Sequence, residues 1–198
     1  RRHTRYWRDW SSDVCSSDLP WGSYQAGPPQ AFENAARLMA AGAQMVKLEG
    51  GAEMARTVGF LARRGIPVCA HLGLTPQSVH KLGGYRVQGR GADAEAEMLS
   101  DARALEEAGA DMVLMEAVPA RLAAQVTEAL DVPTIGIGAG VHCSGQVLVL
   151  HDVLGLCDSQ YRFTKQYAQL RDSVVSATRA FVDEVVDGTW PDLDHSFQ

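Results

Sequence analysis

Cysteine is scarce in this chain and never arranged in pairs. Among 198 residues there are four, Cys15, Cys69, Cys143 and Cys157, with no C-x-x-C and no regular spacing. That pattern excludes a disulfide framework and favours a reducing compartment, so a cytoplasmic protein is expected. His142 and His151 lie near the last two cysteines, but the spacing lacks the tight pairs of a zinc site. No uninterrupted apolar run approaches the roughly 18 to 20 residues needed to cross a bilayer. The first residues are polar, without the apolar core of a secretory leader. Basic charge is in deficit as well: 18 Lys and Arg stand against 24 Asp and Glu, a net charge of −6. Nucleic acid and anionic membrane surfaces want clustered cations, so neither partner is expected. What remains is 46% hydrophobic with 19 glycines, which is the composition of a globular domain large enough to bury a core.

The first residues differ from the rest. Residues 1–10 carry Arg and Trp without helical or strand period, and Ser11-Ser12-Asp13-Val14-Cys15-Ser16-Ser17-Asp18 nearly repeats itself. With Leu19 this string resembles translated sequencing adapter. Residues 1–17 are therefore expected to be a non-native segment in place of a lost N-terminal portion, with the domain proper over 18–198. The upstream genomic sequence tests this.

From Leu19 onward short apolar runs alternate with amphipathic ones. Strands are expected at Met45–Glu49, Pro67–His71, Asp111–Glu116, Pro133–Gly138 and Gln146–His151. Helices are expected over Phe32–Ala43, Ala52–Arg64, Ala92–Ala108, Pro119–Leu130 and Phe163–Val186, the last with a buried stripe of Leu170, Val174, Ala177, Phe181 and Val185. Apolar strands alternating with helices make a parallel sheet covered by helices, either an open doubly wound sheet or a closed barrel. Polar residues end strand after strand: Glu49, His71, Glu116, the glycines at 138–140 and Asp152. That favours a (β/α)8 TIM-type barrel, which carries its chemistry at the carboxyl ends of many strands, whereas an open sheet concentrates its ligand at one switch point. Only about five of the eight strands are legible, so the barrel is expected to be incomplete, with its first three strands missing or replaced.

Lys47 and Glu49 share one face of their strand beside Gly50-Gly51, either as an ordinary ion pair or as part of a site. Glu116 shares a face with Met112 and Leu114. An apolar setting there raises a carboxylate's pKa toward that of a general base, and solvent contact at the strand end is the alternative. His71 alone reads equally as a structural histidine. Gly83–Gly91 is long for a βα connection, and long loops in compact domains tend to be functional. Gly136-Ile137-Gly138-Ala139-Gly140 is a weak phosphate-site signal. Carboxylates without thiolates suit a hard cation such as magnesium.

Together, Met45–Gly51, His71-Leu72-Gly73-Leu74-Thr75-Pro76-Gln77, Gly83–Arg90 and Gly136–Gly140 resemble the ketopantoate hydroxymethyltransferase family, from about Asp18 to the Asp194–Phe197 tail. The resemblance implies a cytosolic, Mg2+-dependent barrel enzyme, a homodecamer. Such an enzyme transfers a hydroxymethyl group from 5,10-methylenetetrahydrofolate to the 2-oxo acid 3-methyl-2-oxobutanoate, giving 2-dehydropantoate for pantothenate synthesis through a magnesium-stabilised enolate. Carried over by position, Glu116 is the base for the C3 proton, Glu49 a magnesium ligand and Lys47 a substrate-binding residue. His71 is an active-site residue, and Asp18 binds both metal and substrate. The family's first strands, with an Asp-Ser pair, have no counterpart, so the chain as written is expected to be inactive and poorly folded. Two other readings remain open. One is a non-catalytic remnant; the other is a magnesium-dependent 2-oxo-acid barrel of the phosphoenolpyruvate mutase and isocitrate lyase type, whose Lys-Lys-Cys-Gly-His-like loop is not found.

Overall fold

The computed structural model describes residues 16–157 and 161–197; the expected non-native segment falls mostly in 1–15, outside the described residues. The chain divides into two units, Arg1–Val147 and Leu148–Gln198.

Six parallel strands form the sheet of the first unit in sequence order. They are β1 (Ser16–Asp18), β2 (Met45–Glu49), β3 (Val68–Gly73), β4 (Met112–Glu116), β5 (Thr134–Ile137) and β6 (Gly145–Gln146). Between them lie α1 (Pro28–Ala40), α2 (Ala55–Ala62, after a 3-10 turn at Ala52–Met54), α3 (Ala92–Ala108) and α4 (Ala120–Ala129). Sequential parallel strands with helical crossovers make an arc of an α/β barrel. Among the described residues the sheet does not close, and β1 and β6 are its edges. β1, just before Leu19, was not among the five expected strands: a strand stands where the first three were expected to be missing or replaced, which makes six where five were legible.

Side chains alternate between two faces of this arc. The outer face carries Val46, Leu48, Val68, Ala70, Val113 and Met115, which share one buried cluster with Ala31 and Ala35 of α1, Val58 and Leu61 of α2, Ala102 and Leu105 of α3, and Leu122 and Val126 of α4. The inner face holds a second cluster, Cys69, Met112 and Ile135, with Met45 and Leu114 packed against it. Above that cluster the inner face turns polar, and strand register shows how. Asp18 pairs with Lys47, Glu49 with His71, and Gly73 with Glu116. The polar positions thus step toward the carboxyl ends on passing from β1 to β4. Barrel strands are tilted and staggered, so such a diagonal gathers residues at one height.

Two elements differ from expectation. The apolar run 146–151 is a strand only at Gly145–Gln146; the ladder stops after Val147 N–H donates to Gly136 O at 3.0 Å. Its remainder lies in the second unit as a one-turn helix, α5 (Leu150–Val153). The expected helix from Phe163 begins only at Arg171, as α6 (Arg171–Asp187). Its stripe of Leu170, Val174, Phe181 and Val185 is exposed rather than buried, because among the described residues its own unit has no second long helix to cover it. Among the described residues no helix is long and apolar enough to cross a membrane.

Candidate active site

At the carboxyl end of the inner face, His71 is the hub. It is buried, and its Nδ1 lies 3.5 Å from Lys47 Nζ and 3.7 Å from Glu49 Oε1. Its Nε2 lies 3.3 Å from Glu116 Oε2. Lys47 Nζ also lies 3.2 Å from Asp18 Oδ2. Of the two readings left open for Lys47 and Glu49, an ordinary ion pair or part of a site, the contacts favour the second: Lys47 pairs across strands with Asp18. All five residues named from the sequence, Asp18, Lys47, Glu49, His71 and Glu116, fall in one chain of contacts. Asp18 is its exposed end, and the other four are more deeply set.

The electrostatics follow from burial. Burial pushes the Glu49 carboxyl above its ordinary value, and the charge of Glu116 adds to the rise. His71, the Gln77 N–H donating to Glu49 Oε2 at 3.0 Å, and Lys47 oppose it. Glu116 lies beside the His71 ring rather than among apolar side chains alone, a more polar setting than its Met112 and Leu114 neighbours suggested. The Nε2–Glu116 approach lacks hydrogen-bond alignment. Among the described residues, His71 Nε2 is the one buried side-chain N or O atom without a hydrogen-bond partner. A buried ring nitrogen left open at the polar end of a sheet is suited to a ligand's polar group. Below it, Cys69 is inert, with burial pushing its thiol up to about 12.

Local backbone explains the placement. Gly73 approaches β4 so closely that a Cβ would stand 2.3 Å from Glu116 O, and its φ of +87° suits glycine. Leu74 N–H then donates to that carbonyl at 2.8 Å. Ala117, next to Glu116, has φ 49°, a left-handed conformation that costs a non-glycine residue. It is held by its own N–H on Ile137 O at 2.9 Å and by Gln88 N–H on its carbonyl at 3.0 Å. Here the long Gly83–Gly91 loop braces the turn after Glu116. Gly136 and Gly140 have packing reasons instead: a Cβ would lie 2.9 Å from Cys143 Sγ at the first and 2.4 Å from Ala120 Cβ at the second.

A family profile described as Ketopantoate hydroxymethyltransferase matches residues 3–193. The chain belongs to that family. It is 59% identical over 181 residues to the 3-methyl-2-oxobutanoate hydroxymethyltransferase of Thiobacillus denitrificans, covering 91% of this chain and 69% of that one. It is likewise 59% identical over 182 residues to the enzyme of the same name from Neisseria meningitidis serogroup A, again at 91% and 69% coverage. A solved structure from Burkholderia cenocepacia J2315, assigned as a phosphonomutase, superposes with a TM-score of 0.52 at 15% identity, over 88% of this chain and 71% of that one. That likeness concerns the fold alone.

The donor set fits a hard cation in kind. Asp18 and Glu49 offer carboxylate oxygens, and Mg2+ is commonly held by one or two carboxylates with water and substrate oxygens. Among the described residues no group of three or more His, Cys, Asp and Glu is arranged to hold a metal ion, so these two carboxylates are the ligands that the described residues offer. Sequence reasoning passed over Tyr24 and quoted Gln77 only as part of the motif after β3, with no role of its own. Tyr24 is buried, with burial and the charge of Glu49 raising its hydroxyl while the Glu49 backbone contact lowers it. Its hydroxyl oxygen accepts from Glu49 N–H at 3.1 Å.

Proposed function

We propose that this family member transfers a hydroxymethyl group from 5,10-methylenetetrahydrofolate to 3-methyl-2-oxobutanoate, with Glu116 as the base. The observation that carries the reading is the convergence of Lys47, Glu49 and Glu116 on His71 above an apolar floor. The carboxylate of Glu116 takes the C3 proton of the 2-oxo acid, and the C–H electron pair becomes the C2–C3 double bond of the enolate. C3 then bonds to the methylene carbon of the folate, both carbon–nitrogen bonds of that carbon break, and water supplies the hydroxyl oxygen. The C3 proton and the other water proton end on the two freed nitrogens, so the products are 2-dehydropantoate and tetrahydrofolate. Lys47 offsets the substrate carboxylate, and His71 Nε2, open beside Glu116, orients the bound acid. Asp18 and Glu49 would hold Mg2+, which supplies stabilisation of the negative charge developing on the keto oxygen, worth several kcal/mol in such sites. The same reading implies a cytoplasmic homo-oligomer.

Proton removal can be followed without folate, as solvent-deuterium exchange at C3 of 3-methyl-2-oxobutanoate by NMR. It is measured on this chain and on a version extended by the segments in which the relatives are longer. Mg2+-dependent exchange in either form that is lost in Glu116→Gln supports the reading. Undiminished exchange in that variant overturns Glu116 as base, and binding of the acid with no exchange in either form favours the non-catalytic reading.

A further inference from the structure

Two loops meet behind Glu49. Gln77, in the 3-10 turn Pro76–Ser78 after β3, makes contacts with three separate segments. Its backbone N–H donates to Glu49 Oε2 at 3.0 Å. Its side-chain Nε2 donates to Leu19 O at 2.9 Å, one residue beyond Asp18. Its Oε1 accepts from Tyr24 OH at 2.7 Å and from Gln25 Nε2 at 3.3 Å. The amide orientation follows from chemistry. Leu19 O can only accept, so the atom against it is nitrogen, and the oxygen faces the tyrosine. The single hydroxyl proton of Tyr24 goes to Gln77 at 2.7 Å rather than to Glu49 O at 3.5 Å, and the Tyr24 oxygen is left to accept Glu49 N–H at 3.1 Å. One directed path thus runs from Glu49 N–H through Tyr24 OH and the Gln77 amide to Leu19 O.

From this geometry we infer that Tyr24 and Gln77 are positioning residues that set the spacing and aim of the Asp18 and Glu49 carboxylates. Both ends of the path are backbone atoms, one in Glu49 itself and one in the residue after Asp18. The carboxylates stand on neighbouring strands whose ladder, ending with Leu19 N–H on Lys47 O at 2.9 Å, sets the backbone spacing; the path adds a second tie beyond the ladder's end, between the Glu49 N–H and Leu19 O. The Gln77 N–H occupies Glu49 Oε2 and leaves Oε1 facing the His71 side. The inference rests on the reading of Asp18 and Glu49 as cation ligands. Partners of this kind behind metal ligands typically change affinity by roughly 10- to 100-fold when removed.

The test is Mn2+ binding by isothermal titration calorimetry, with circular dichroism and thermal melting run in parallel. Mn2+ shares the oxygen-ligand preference of Mg2+. Tyr24→Phe removes one oxygen, and Gln77→Met removes the amide while keeping the backbone N–H. Each is expected to weaken Mn2+ roughly 10- to 100-fold. Because they interrupt one path, the double variant should bind no more weakly than the weaker single one. Gln30→Ala serves as control: it loosens the same loop, where Gln30 Nε2 donates to Gly22 O at 2.8 Å, without touching the path. Its affinity is expected to match the wild type. Single variants that melt lower but bind Mn2+ like the wild type overturn the inference, as do losses that multiply in the double variant. Glu49→Gln separates the two layers: unchanged Mn2+ binding there overturns the ligand reading itself, as does a wild-type chain that takes no Mn2+.

Discussion

The inner face of the sheet and its outer face are made by the same strands, one residue apart, and they carry opposite loads. On β2 the outer residues Val46 and Leu48 are fully buried against helices, whereas the inner residues Lys47 and Glu49 reach His71 and Asp18. On β4, Val113 and Met115 pack outward while Glu116 faces His71. Within the inner face a second division runs along the strands. Cys69, Met112 and Ile135 form an apolar floor, and the charged residues stand above it. Outer face and floor hold the scaffold, and in the proposed function the polar diagonal carries the chemistry. Substitutions in the two regions should therefore separate in what they disturb.

The sharpest separation is expected at Glu116. Replacing it by Gln keeps its volume and should lower C3-proton exchange by about a hundred- to ten-thousand-fold, the usual worth of a positioned base. The urea midpoint should stay within the narrow range of surface substitutions. A variant that loses exchange only in step with its folded fraction would erase the distinction between floor and diagonal. Met112→Ala, one layer below, is the converse. It leaves a cavity beside Cys69 and Ile135 and should cost about 2 to 3 kcal/mol in unfolding free energy. Once corrected for folded fraction, its exchange rate should be that of the wild type.

The strands at the centre of this comparison are legible in the sequence. Met45–Glu49 has the expected bounds, and Met112–Glu116 begins one residue late, because each is an apolar run closed by a charge and then by Gly or an Ala-Val-Pro turn. All five proposed site residues came from strand ends and motif resemblance. The run 146–151 misled because Val147-Leu148-Val149-Leu150 has no period that separates strand from short helix, and pairing stops where β5 ends. Tyr24 and Gln77 were illegible for a different reason. They are 53 positions apart, and each looks like a loop residue until the hydrogen bond between them is seen. His71 read as a lone histidine because its three partners come from two other strands.

A smaller effect is expected just past β2, on the outer side. A Cβ on Gly51 would stand 2.2 Å from Asp101 Oδ2, and that carboxylate accepts from Ala52 N–H at 3.1 Å. Gly51→Ala must displace Asp101 and free the Ala52 N–H, at a cost of about 1 kcal/mol, comparable to the loss of a helix cap. Asp101→Ala should cost about the same, since it removes the same acceptor. The two together should cost no more than one alone, because a single contact is lost. Additive losses in urea unfolding would show that Gly51 is constrained by something other than Asp101.

Asp101→Asn is the mildest of these changes and turns on sign. Burial pushes the Asp101 carboxyl above its ordinary 3.8, the Ala52 N–H pulls it back, and the charges of Glu53 and Glu97 add to the rise. A carboxyl whose pKa is raised by folding stabilises the fold when protonated. That contribution is fully present below the unfolded value, about 3.8, and is lost as pH rises through the folded one. Above both, the wild type keeps a charge that is poorly solvated. Asparagine does not titrate, yet its Oδ1 still accepts from Ala52 N–H. The urea midpoint of Asp101→Asn relative to wild type should therefore rise with pH across that window. At neutral pH the variant should equal or exceed the wild type by on the order of half a kcal/mol. A difference that stays flat with pH, or an Asn variant that is the weaker at neutral pH, would mean the ionised carboxylate is wanted there. Asp101 would then stand with Glu49 on the side of chemistry rather than with the scaffold that it caps.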